Sequence, residues 1–376
     1  MKSYVSLLAR LPLYNVFRRI GRPRISPVNY TFSITNMCNS RCGTCFIWKL
    51  YREKPELKSE ELTLQEWERI FAGLGKSPFW ITISGGEPYL RNDLVEICRA
   101  ICELNAPKII SIPTNGLLYE RISDWTPKIL QACIDNDVKL VVNLSLDDVG
   151  KFHDEIRGVK KNWECSMKTL SALKNLKEKY SCLTAGIHTV ISKYNVRRLH
   201  SIVDYILNTL EPDHYIMEVA EERSELFNIG REITPSAEEL KDELSKVLDY
   251  LKPKYKRAKG ISKVSLAFRL RYYELVPKIL QVKRQLIPCM ASFASCHINP
   301  YGELWACCIL GYEANMGNLR CCDYDFKRLW SSERVEKVRE TIRKGMCSCP
   351  LANANYTNIF FNFKECLRIL VKTLTP

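Results

Sequence analysis

Six β-rich segments alternate with amphipathic helical segments between Tyr30 and Glu221, and this alternation restricts the fold of the chain more than its composition does. Repeated β–α units place successive strands in parallel in one sheet, and such sheets carry ligand sites at the C-terminal ends of their strands. The β-rich segments are Tyr30–Ile34, Phe79–Ser84, Lys108–Thr114, Val138–Asp147, Leu183–Ile191 and Tyr215–Val219. The helical segments include Leu64–Leu74, Leu94–Leu104, Trp163–Lys177 and Val196–Leu210. The sequence therefore predicts an α/β protein whose site lies at one edge of a parallel sheet.

Three cysteines follow the first β-rich segment. Cys38, Cys42 and Cys45 have the spacing C-x₃-C-x₂-C. Three thiolates on one loop can hold three irons of a cubic iron–sulfur cluster, which leaves the fourth iron open for chemistry. Zinc sites rich in thiolates more often use C-x₂-C pairs and four ligands. The triplet therefore indicates an iron–sulfur site, and three unrelated cysteines are the alternative.

The second β-rich segment ends in the turn Gly85-Gly86-Glu87-Pro88. Adjacent glycines let the backbone approach a ligand closely, and a carboxylate suits an ammonium-type partner. Together with the triplet, this turn resembles the radical S-adenosylmethionine (radical SAM) superfamily. The resemblance implies a partial (β/α)6 TIM-like barrel and a [4Fe-4S] cluster on the triplet. It also implies that SAM chelates the open iron, with its amino group at Gly85, Gly86 and Glu87.

Four more residues fit the SAM site of that family. The resemblance implies that Ser145 reaches the SAM ribose and that Arg157, in the element His153-Asp-Glu-Ile-Arg157-Gly158, pairs with the SAM carboxylate. Arginine suits this task because its planar fork can bind a carboxylate through two hydrogen bonds. Phe46 takes the place of an aromatic residue beside the adenine, and Asn115 follows the third β-rich segment. The alternatives are turn chemistry for Ser145 and Asn115 and a core position for Phe46.

The sixth β-rich segment leads into the charged stretch Glu218-Val-Ala-Glu221-Glu222-Arg223. Glu218 and Glu222 are candidates for acid–base catalysis, and a solvated start of a helix is the alternative. His188 on the fifth segment could face the interior of the barrel. Its alternative is a hydrogen-bonded histidine in the core.

A second group of cysteines lies near the C-terminal end. The spacing Cys289-x₁₂-Gly302-x₄-Cys307, followed by Cys347 and Cys349, resembles the twitch or SPASM domains that many radical SAM enzymes carry. The resemblance implies an auxiliary [4Fe-4S] cluster on these four cysteines, with a structural zinc ion as the alternative. The pair Cys347 and Cys349 is C-x-C rather than C-x₂-C. Spare candidates for ligands are Cys296, Cys308, Cys321 and Cys322.

These patterns divide the chain into five predicted parts. A basic amphipathic N-terminal segment (1–29) precedes the radical SAM core (30–222) and a helical linker or substrate region (223–285). A small cysteine-rich domain of the twitch or SPASM type (286–350) is followed by an amphipathic C-terminal segment (351–376). Within the linker region, the basic stretch Lys252–Lys259 is predicted to be a solvated loop.

Charge is concentrated at both ends of the chain. The net charge is +14, and residues 1–29 contain six Lys or Arg residues and no Asp or Glu. Near the C-terminus, Phe360, Phe363, Leu367, Leu370, Val371 and Leu374 form an apolar stripe beside Lys364, Arg368 and Lys372. Basic amphipathic helices suit an anionic membrane surface, and helices packed on the barrel are the alternative. No apolar run is long enough to cross a membrane, and the many unevenly spaced cysteines indicate a metal-bearing cytoplasmic protein. The basic amphipathic ends suggest a peripheral position at the inner membrane face.

The first interpretation is a radical SAM enzyme that abstracts hydrogen from an unactivated C–H bond, using SAM and a flavodoxin- or ferredoxin-like donor of low potential. The charged ends suggest a membrane-associated lipid substrate and C–C bond formation. An alternative keeps the enzyme and changes the substrate to a peptide, a sugar or another small molecule. A third interpretation, an iron–sulfur or zinc protein that binds nucleic acid, leaves the Gly-Gly-Glu-Pro turn unexplained.

Overall fold

A computed structural model describes residues 2–345 and 347–374, and the side chains of residues 7–260, 262–345 and 347–373. The described residues form nine β-strands and fourteen α-helices. The strands are β1 (Asn29–Thr35), β2 (Trp80–Gly85), β3 (Ile109–Thr114), β4 (Lys139–Ser145), β5 (Leu183–Ile191), β6 (His214–Val219), β7 (Ser295–Ile298), β8 (Glu303–Trp305) and β9 (Asn315–Asn318). The helices are α1 (Lys2–Ile20), α2 (Leu50–Glu53), α3 (Leu64–Leu74), α4 (Leu94–Asn105), α5 (Tyr119–Asp135), α6 (Lys151–Arg157), α7 (Asn162–Lys179), α8 (Leu199–Tyr205), α9 (Ala237–Arg257), α10 (Gly260–Val282), α11 (Phe326–Trp330), α12 (Glu333–Arg343), α13 (Ala352–Phe360) and α14 (Phe363–Leu374).

The six predicted β-rich segments form strands β1 to β6, because their β-branched and alternating apolar residues suit a sheet covered by helices. Helix α3 begins as predicted, with a capping box in which the Glu66 backbone N–H donates to Thr63 Oγ1 (3.3 Å) and the Thr63 N–H donates to Glu66 Oε2 (2.8 Å). The predicted helix Val196–Leu210 is divided into a 3₁₀ turn, α8 and a π-helical turn.

Strands β1 to β6 lie side by side in chain order and pair in parallel, which confirms the predicted partial (β/α)6 barrel. The complete strand order is β6-β5-β4-β3-β2-β1-β7-β8-β9, and β6 and β9 are the two edges. Because the C-terminal ends of parallel strands all lie on the same side of a sheet, the loops that follow β1 to β6 come together on one side of the molecule.

The two faces of the barrel sheet differ in chemistry. On the outer face, the ring of Phe32 lies 5.6 Å from Trp67 and 5.4 Å from Phe71 on α3. The opposite, concave face carries polar side chains at alternate positions of all six strands. They are Thr31 and Ser33 on β1, Thr82 and Ser84 on β2, Ser111 on β3, Asn143 and Ser145 on β4, His188 on β5, and His214 and Glu218 on β6.

Helix α13 lies against this concave face and bridges the first and last strands of the barrel. Asn29 Nδ2 on β1 donates to Thr357 Oγ1 at 3.0 Å, while the backbone N–H of Ala352 donates to Glu218 Oε2 on β6 at 2.8 Å. The C-terminal segment that the sequence predicted as a separate amphipathic part therefore begins inside the barrel.

The cysteine-rich region extends the barrel sheet. Strand β7 pairs in parallel with β1, with Asn29 opposite Ser295 and Phe32 opposite Ile298. Strands β7 and β8 form the predicted antiparallel hairpin, whose turn contains Gly302 at a φ of +83°. The core and the cysteine-rich region therefore share one continuous sheet.

The predicted loop at Lys252–Lys259 is wrong, because α9 continues through Pro253 to Arg257. Leu251 and Tyr255 are buried four residues apart on the same helical face, and their packing stabilises this last turn. In the described part of the chain, no helix is both long enough and apolar enough to span a membrane.

Candidate functional site

The loop that carries the cysteine triplet is fastened to the end of α6. The backbone N–H groups of Arg41 and Gly43 donate to the carbonyl oxygens of Arg157 (3.0 Å) and Ile156 (2.8 Å). Gly158 makes this approach possible, because a Cβ there would overlap the carbonyl oxygen of Arg41. The His153–Gly158 element is therefore a support for the triplet as well as the source of Arg157.

The Gly-Gly-Glu turn is joined to the residues just before Cys38. The N–H of Gly86 donates to the Thr35 carbonyl at 2.8 Å, and the N–H of Glu87 donates to the Met37 carbonyl at 2.7 Å. A Cβ at Gly85 or Gly86 would overlap these same two carbonyl oxygens. Glycine is therefore required here because the backbone of Thr35 and Met37 comes close, in addition to any approach by a ligand.

The carboxylate of Glu87 links the ends of β2 and β3. It is 1% exposed and accepts hydrogen bonds from the Asn115 N–H (2.7 Å), the Thr114 hydroxyl (3.0 Å) and the Tyr89 N–H (3.2 Å). Burial raises the pKa of Glu87 to about 7, although these hydrogen bonds lower it. Direct contact between Glu87 and the SAM amino group remains a prediction, since the carboxylate already has protein partners.

Asn115 combines the two roles that the sequence left open. Its Oδ1 accepts from the N–H of Leu117 (3.0 Å), which is turn chemistry. Its Nδ2 donates to Asn39 Oδ1 at 2.7 Å and lies 4.0 Å from Cys38 Sγ. Asn115 therefore orients the triplet loop from the end of β3.

Arg157 lies beside the triplet with part of its guanidinium unpaired. Its Nη1 donates to Cys42 Sγ at 3.4 Å, and its Nε forms an ion pair with Asp147 Oδ2 at 3.0 Å. Its Nη2 is buried and has no hydrogen-bond partner among the described residues. A buried cationic donor at this place fits an anionic ligand such as the carboxylate of SAM.

Ser145 and His188 are neighbours at the ends of β4 and β5, where their Cα atoms are paired in the sheet. Both side chains are partly exposed on the concave face, and His188 Nε2 is buried without a partner in the described chain. Phe46 is also partly exposed, and two cations lie over its ring. Arg231 Cζ is 4.8 Å and Lys49 Nζ is 5.1 Å from the centre of the ring. Contact of Ser145 with the ribose and of Phe46 with the adenine remain predictions.

Asn228 is a site residue that the sequence analysis missed. It is fully buried, and its Nδ2 donates to the carbonyl of Thr44 inside the triplet loop (2.9 Å) and to that of Glu221 (3.1 Å). Its Oδ1 accepts from the N–H of Arg223 at 2.6 Å. A single asparagine in an irregular segment has no sequence signal that would reveal this bridge.

The triplet thiols suit a cluster of metal ions. Burial, together with the charge of the neighbouring Cys42, raises the pKa of Cys45 to about 12. Burial also raises the pKa of Cys38 well above its ordinary value, again with a contribution from Cys42. Each thiolate makes the negative charge of its neighbours less favourable, and positively charged iron ions would stabilise all three thiolates together. The residues present therefore fit a [4Fe-4S] cluster on Cys38, Cys42 and Cys45.

The charged stretch after β6 differs from its predicted roles. Glu218 Oε2 accepts from the first N–H of α13, and Glu222 Oε2 accepts from the N–H of Gly230 at 2.6 Å. Both carboxylates thus make hydrogen bonds that fix the local backbone, and acid–base catalysis by either remains a prediction. Glu221 between them has a buried Oε2 without a partner in the described chain, and burial raises its pKa to about 7.

The four cysteines predicted for the auxiliary cluster lie close enough for their charges to interact. Burial raises the pKa of Cys307 to about 12, and the charges of Cys289 and Cys347 contribute. Burial raises the pKa of Cys349 well above its ordinary value, with contributions from Cys307 and Cys289. Gln285, which the sequence analysis missed, donates to Cys347 Sγ (3.3 Å) and accepts from the Cys289 N–H (3.3 Å). This group fits one auxiliary cluster.

Cys308 makes different contacts from Cys307. Its thiol accepts a hydrogen bond from Arg223 Nη1 at 2.9 Å, and the same nitrogen lies 3.4 Å from Glu225 Oε2. This contact favours Cys307 over Cys308 as the auxiliary ligand, and that choice stays a prediction.

The remaining spare cysteines have other surroundings. Cys296 is buried on β7 opposite Tyr30, Cys321 is exposed, and the thiol of Cys322 lies 3.4 Å from the Leu319 carbonyl. Within residues 2–345 and 347–374, no group of three or more His, Cys, Asp or Glu side chains is placed to hold a single metal ion.

Two sequence families match the chain. The radical SAM superfamily matches residues 32–206, which include the triplet, the Gly-Gly-Glu turn and Arg157. The iron–sulfur cluster-binding SPASM domain matches residues 289–350, which include all four auxiliary cysteines.

The chain matches curated relatives over only part of their length. The GTP 3',8-cyclase of Alkaliphilus oremlandii (strain OhILAs) is 35% identical over 135 residues, which are 35% of this chain and 39% of the cyclase. The antilisterial bacteriocin subtilosin biosynthesis protein AlbA of Bacillus subtilis (strain 168) is 22% identical over 314 residues, 83% of this chain and 61% of AlbA. The chain thus spans less than two thirds of each of these relatives.

Solved structures share the fold. Native anSMEcpe with bound AdoMet superposes with a TM-score of 0.59 at 14% identity and covers 93% of this chain and 100% of that one. Streptococcus suis SuiB superposes with a TM-score of 0.58 at 18% identity and covers 91% of this chain and 72% of that one.

Proposed function

Because the chain belongs to the radical SAM superfamily and carries a SPASM domain, we propose that it cleaves SAM reductively and abstracts hydrogen from a polar substrate held at the concave face of its barrel. When bound, the cluster on the triplet would supply the electron that cleaves SAM into methionine and a 5′-deoxyadenosyl radical, and this radical would take a hydrogen atom from a C–H bond of the substrate to give 5′-deoxyadenosine. An external donor of low potential would provide that electron.

One observation carries the proposal: residues from the segments that follow β2, β3 and β4 converge on the triplet loop, which follows β1. Asn115 reaches Asn39, Arg157 reaches Cys42, and Glu87 holds the backbone of Asn115. In this arrangement Arg157 would hold the carboxylate of SAM, and Ser145 would hold its ribose. The supports from α6 and from Asn228 keep the loop in place while the ligand binds.

The lining of the barrel favours a polar substrate. Near the site, Ser145 and His188 present a hydroxyl and an imidazole on the concave face, and His188 Nε2 is buried without a partner in the described chain. An acyl chain would leave this nitrogen unpaired at a cost in free energy. A cavity of about 50 Å³, lined in part by Thr31, His297 and Cys308, lies between this face and the auxiliary cysteines. The lipid substrate expected from the charged ends is therefore not favoured.

A peptide is the preferred class of polar substrate. A relative that matches 83% of this chain is named for the biosynthesis of a bacteriocin. A structure of anSMEcpe with bound AdoMet and the Cp18Cys peptide superposes with a TM-score of 0.59. A small polar molecule is the second candidate, because the concave face would suit it equally.

The decisive experiment measures 5′-deoxyadenosine after anaerobic reconstitution with iron and sulfide and incubation with SAM and dithionite. We expect the product from the wild-type protein and none from Cys38→Ala, whose iron content should fall from about eight to about four atoms per chain. If the wild-type protein, with its full iron content, forms no 5′-deoxyadenosine, the proposed chemistry is wrong.

The substrate class is tested through the hydrogen atom that is transferred. The reconstituted enzyme is incubated with the aqueous or the lipid fraction of cells grown in deuterated medium, and deuterium in 5′-deoxyadenosine is measured by mass spectrometry. Deuterium from the aqueous fraction supports a polar substrate, and deuterium from the lipid fraction alone contradicts it. Protease treatment of the aqueous fraction separates peptides from small molecules.

A further inference from the structure

Helix α14 presents an apolar face to solvent. We name Phe363, Leu367 and Leu370 the α14 stripe; they lie at positions i, i+4 and i+7 and are 79%, 49% and 53% exposed. The opposite side of the helix is packed on the protein, where Ile369 and Glu365 are each 5% exposed. Apolar residues that repeat at helical spacing usually face a core, so a stripe turned outward is typical of an interaction surface.

Positive charge lies directly beside the stripe. Lys364 and Arg368 follow the stripe along one flank of the helix, one turn apart. They line, with Arg271 of α10, a groove of about 630 Å³ between the two helices. Arg271 and Arg368 both pair with Glu365, so the two arginines share one of the acidic groups of this flank. The flank therefore keeps a positive character next to the apolar face.

The N-terminal helix has a similar face. Leu13, Val16 and Ile20 on α1 are exposed at positions i, i+3 and i+7, and Arg19 is exposed between them. Asn15 Nδ2 donates to the carbonyl of Phe361 at 2.9 Å, which joins the middle of α1 to the residues just before α14. Two neighbouring helices thus combine exposed apolar residues with arginine or lysine.

We propose that α14 lies flat on a lipid surface with anionic headgroups, with the α14 stripe at the boundary of the acyl chains and Lys364 and Arg368 at the level of the phosphates. This surface matches both properties of the helix, because apolar burial and attraction to anionic lipid act together on a basic amphipathic helix. A second copy of the chain fits less well, since each copy carries a net charge of +14 and the same basic flank. The inference is independent of the reaction, because the barrel and its site take no part in it.

The test is sedimentation of the full reconstituted protein with phosphatidylglycerol vesicles and with phosphatidylcholine vesicles. We expect binding to phosphatidylglycerol that weakens as salt is added, and little binding to phosphatidylcholine. The double variant L367S/L370S should bind at least about tenfold more weakly, because two half-buried leucine contacts with the bilayer are lost. Lys364→Gln should weaken binding roughly fivefold.

The matched control is I134S/I229S, which removes two side chains with similar exposure, 49% and 62%, that lie outside α1 and α14. It should bind phosphatidylglycerol vesicles as the wild type does, and all variants should keep their iron content. The proposal is overturned if the wild type does not bind phosphatidylglycerol vesicles, or if the control loses as much binding as L367S/L370S. It is also overturned if analytical ultracentrifugation shows a dimer that L367S/L370S dissociates and that does not bind vesicles.

Discussion

Glu221 shows how burial changes one residue in a charged stretch. Of the three glutamates at 218, 221 and 222, it has the buried oxygen without a partner in the described chain, and burial raises its pKa to about 7, against the charge of Arg223. Because the folded-state pKa lies above the ordinary value of 4.5, the stability that protonated Glu221 contributes is present below about pH 4.5. It is lost as the pH rises through about 7.

We expect Glu221→Gln to reduce this loss. Between about pH 5 and about pH 8, the free energy of unfolding of the apoprotein should fall by about 1–2 kcal/mol less in the variant than in the wild type, after allowance for the partial exposure of Glu221. Urea unfolding at the two pH values measures it. Glu222→Gln, whose parent carboxylate accepts the Gly230 N–H, is the control; if it behaves like Glu221→Gln, the assignment to Glu221 is wrong.

The adjacent residues Cys307 and Cys308 provide a second test at the residue scale. Cys307 interacts through its charge with the other auxiliary thiols, whereas Cys308 accepts a hydrogen bond from Arg223. Cys307→Ser should therefore lower the iron content by about four atoms per chain, and Cys308→Ser should leave it unchanged. Iron and sulfide analysis after anaerobic reconstitution, with EPR of the reduced protein, measures both. The opposite pattern would make Cys308 the ligand.

At the scale of elements, the triplet loop depends on its contact with α6. Gly158→Ala should displace the loop, because a Cβ would overlap the Arg41 carbonyl and the hydrogen bond of Arg41 N–H to Arg157 would be lost. We expect less iron on the triplet and at least a tenfold decrease in 5′-deoxyadenosine formation, from a loss of about 1.4 kcal/mol or more in site stability.

Gly150→Ala is the matched control for this prediction. Gly150 also has a positive φ, +63° against +64° at Gly158, but a Cβ there meets nothing within 4 Å. Gly150→Ala carries at least as much backbone strain as Gly158→Ala, because ψ is −134° at Gly150 and 24° at Gly158, and only Gly158→Ala adds the overlap. If Gly150→Ala loses as much iron and activity, strain rather than the contact with α6 explains the effect.

The elements themselves were largely predictable from sequence. The six barrel strands, the capped start of α3 and the β7–β8 hairpin follow from local patterns: β-branched runs, a Thr-x-x-Glu box and a glycine in a turn. The extension of α9 through Pro253 was not, because the buried packing of Leu251 and Tyr255 overrides the local signal of a proline in a basic stretch.

At the scale of the whole molecule, the sheet unites the parts that the sequence divided. Strand β7 continues the barrel sheet beyond β1, and α13 bridges β1 and β6 from inside. The predicted core (30–222) and the predicted cysteine-rich domain (286–350) therefore share one sheet. This arrangement places the β7–β8 hairpin, which lies between Cys289 and Cys307, next to β1, whose end leads into the triplet loop.

The sequence alone determined the family, because its signals lie within short stretches with fixed spacing. For the same reason it also predicted the triplet, the Gly-Gly-Glu turn, Arg157 and the four auxiliary cysteines as site residues. The tertiary structure decided what crosses between distant stretches. The bond from Asn228 to Thr44 spans 184 residues, and that from Arg223 to Cys308 spans 85. Such pairs have no characteristic spacing in the sequence, because only the folding of the sheet brings the two residues together. The same reason applies to α14, whose apolar stripe was visible in the sequence while its orientation toward solvent was not.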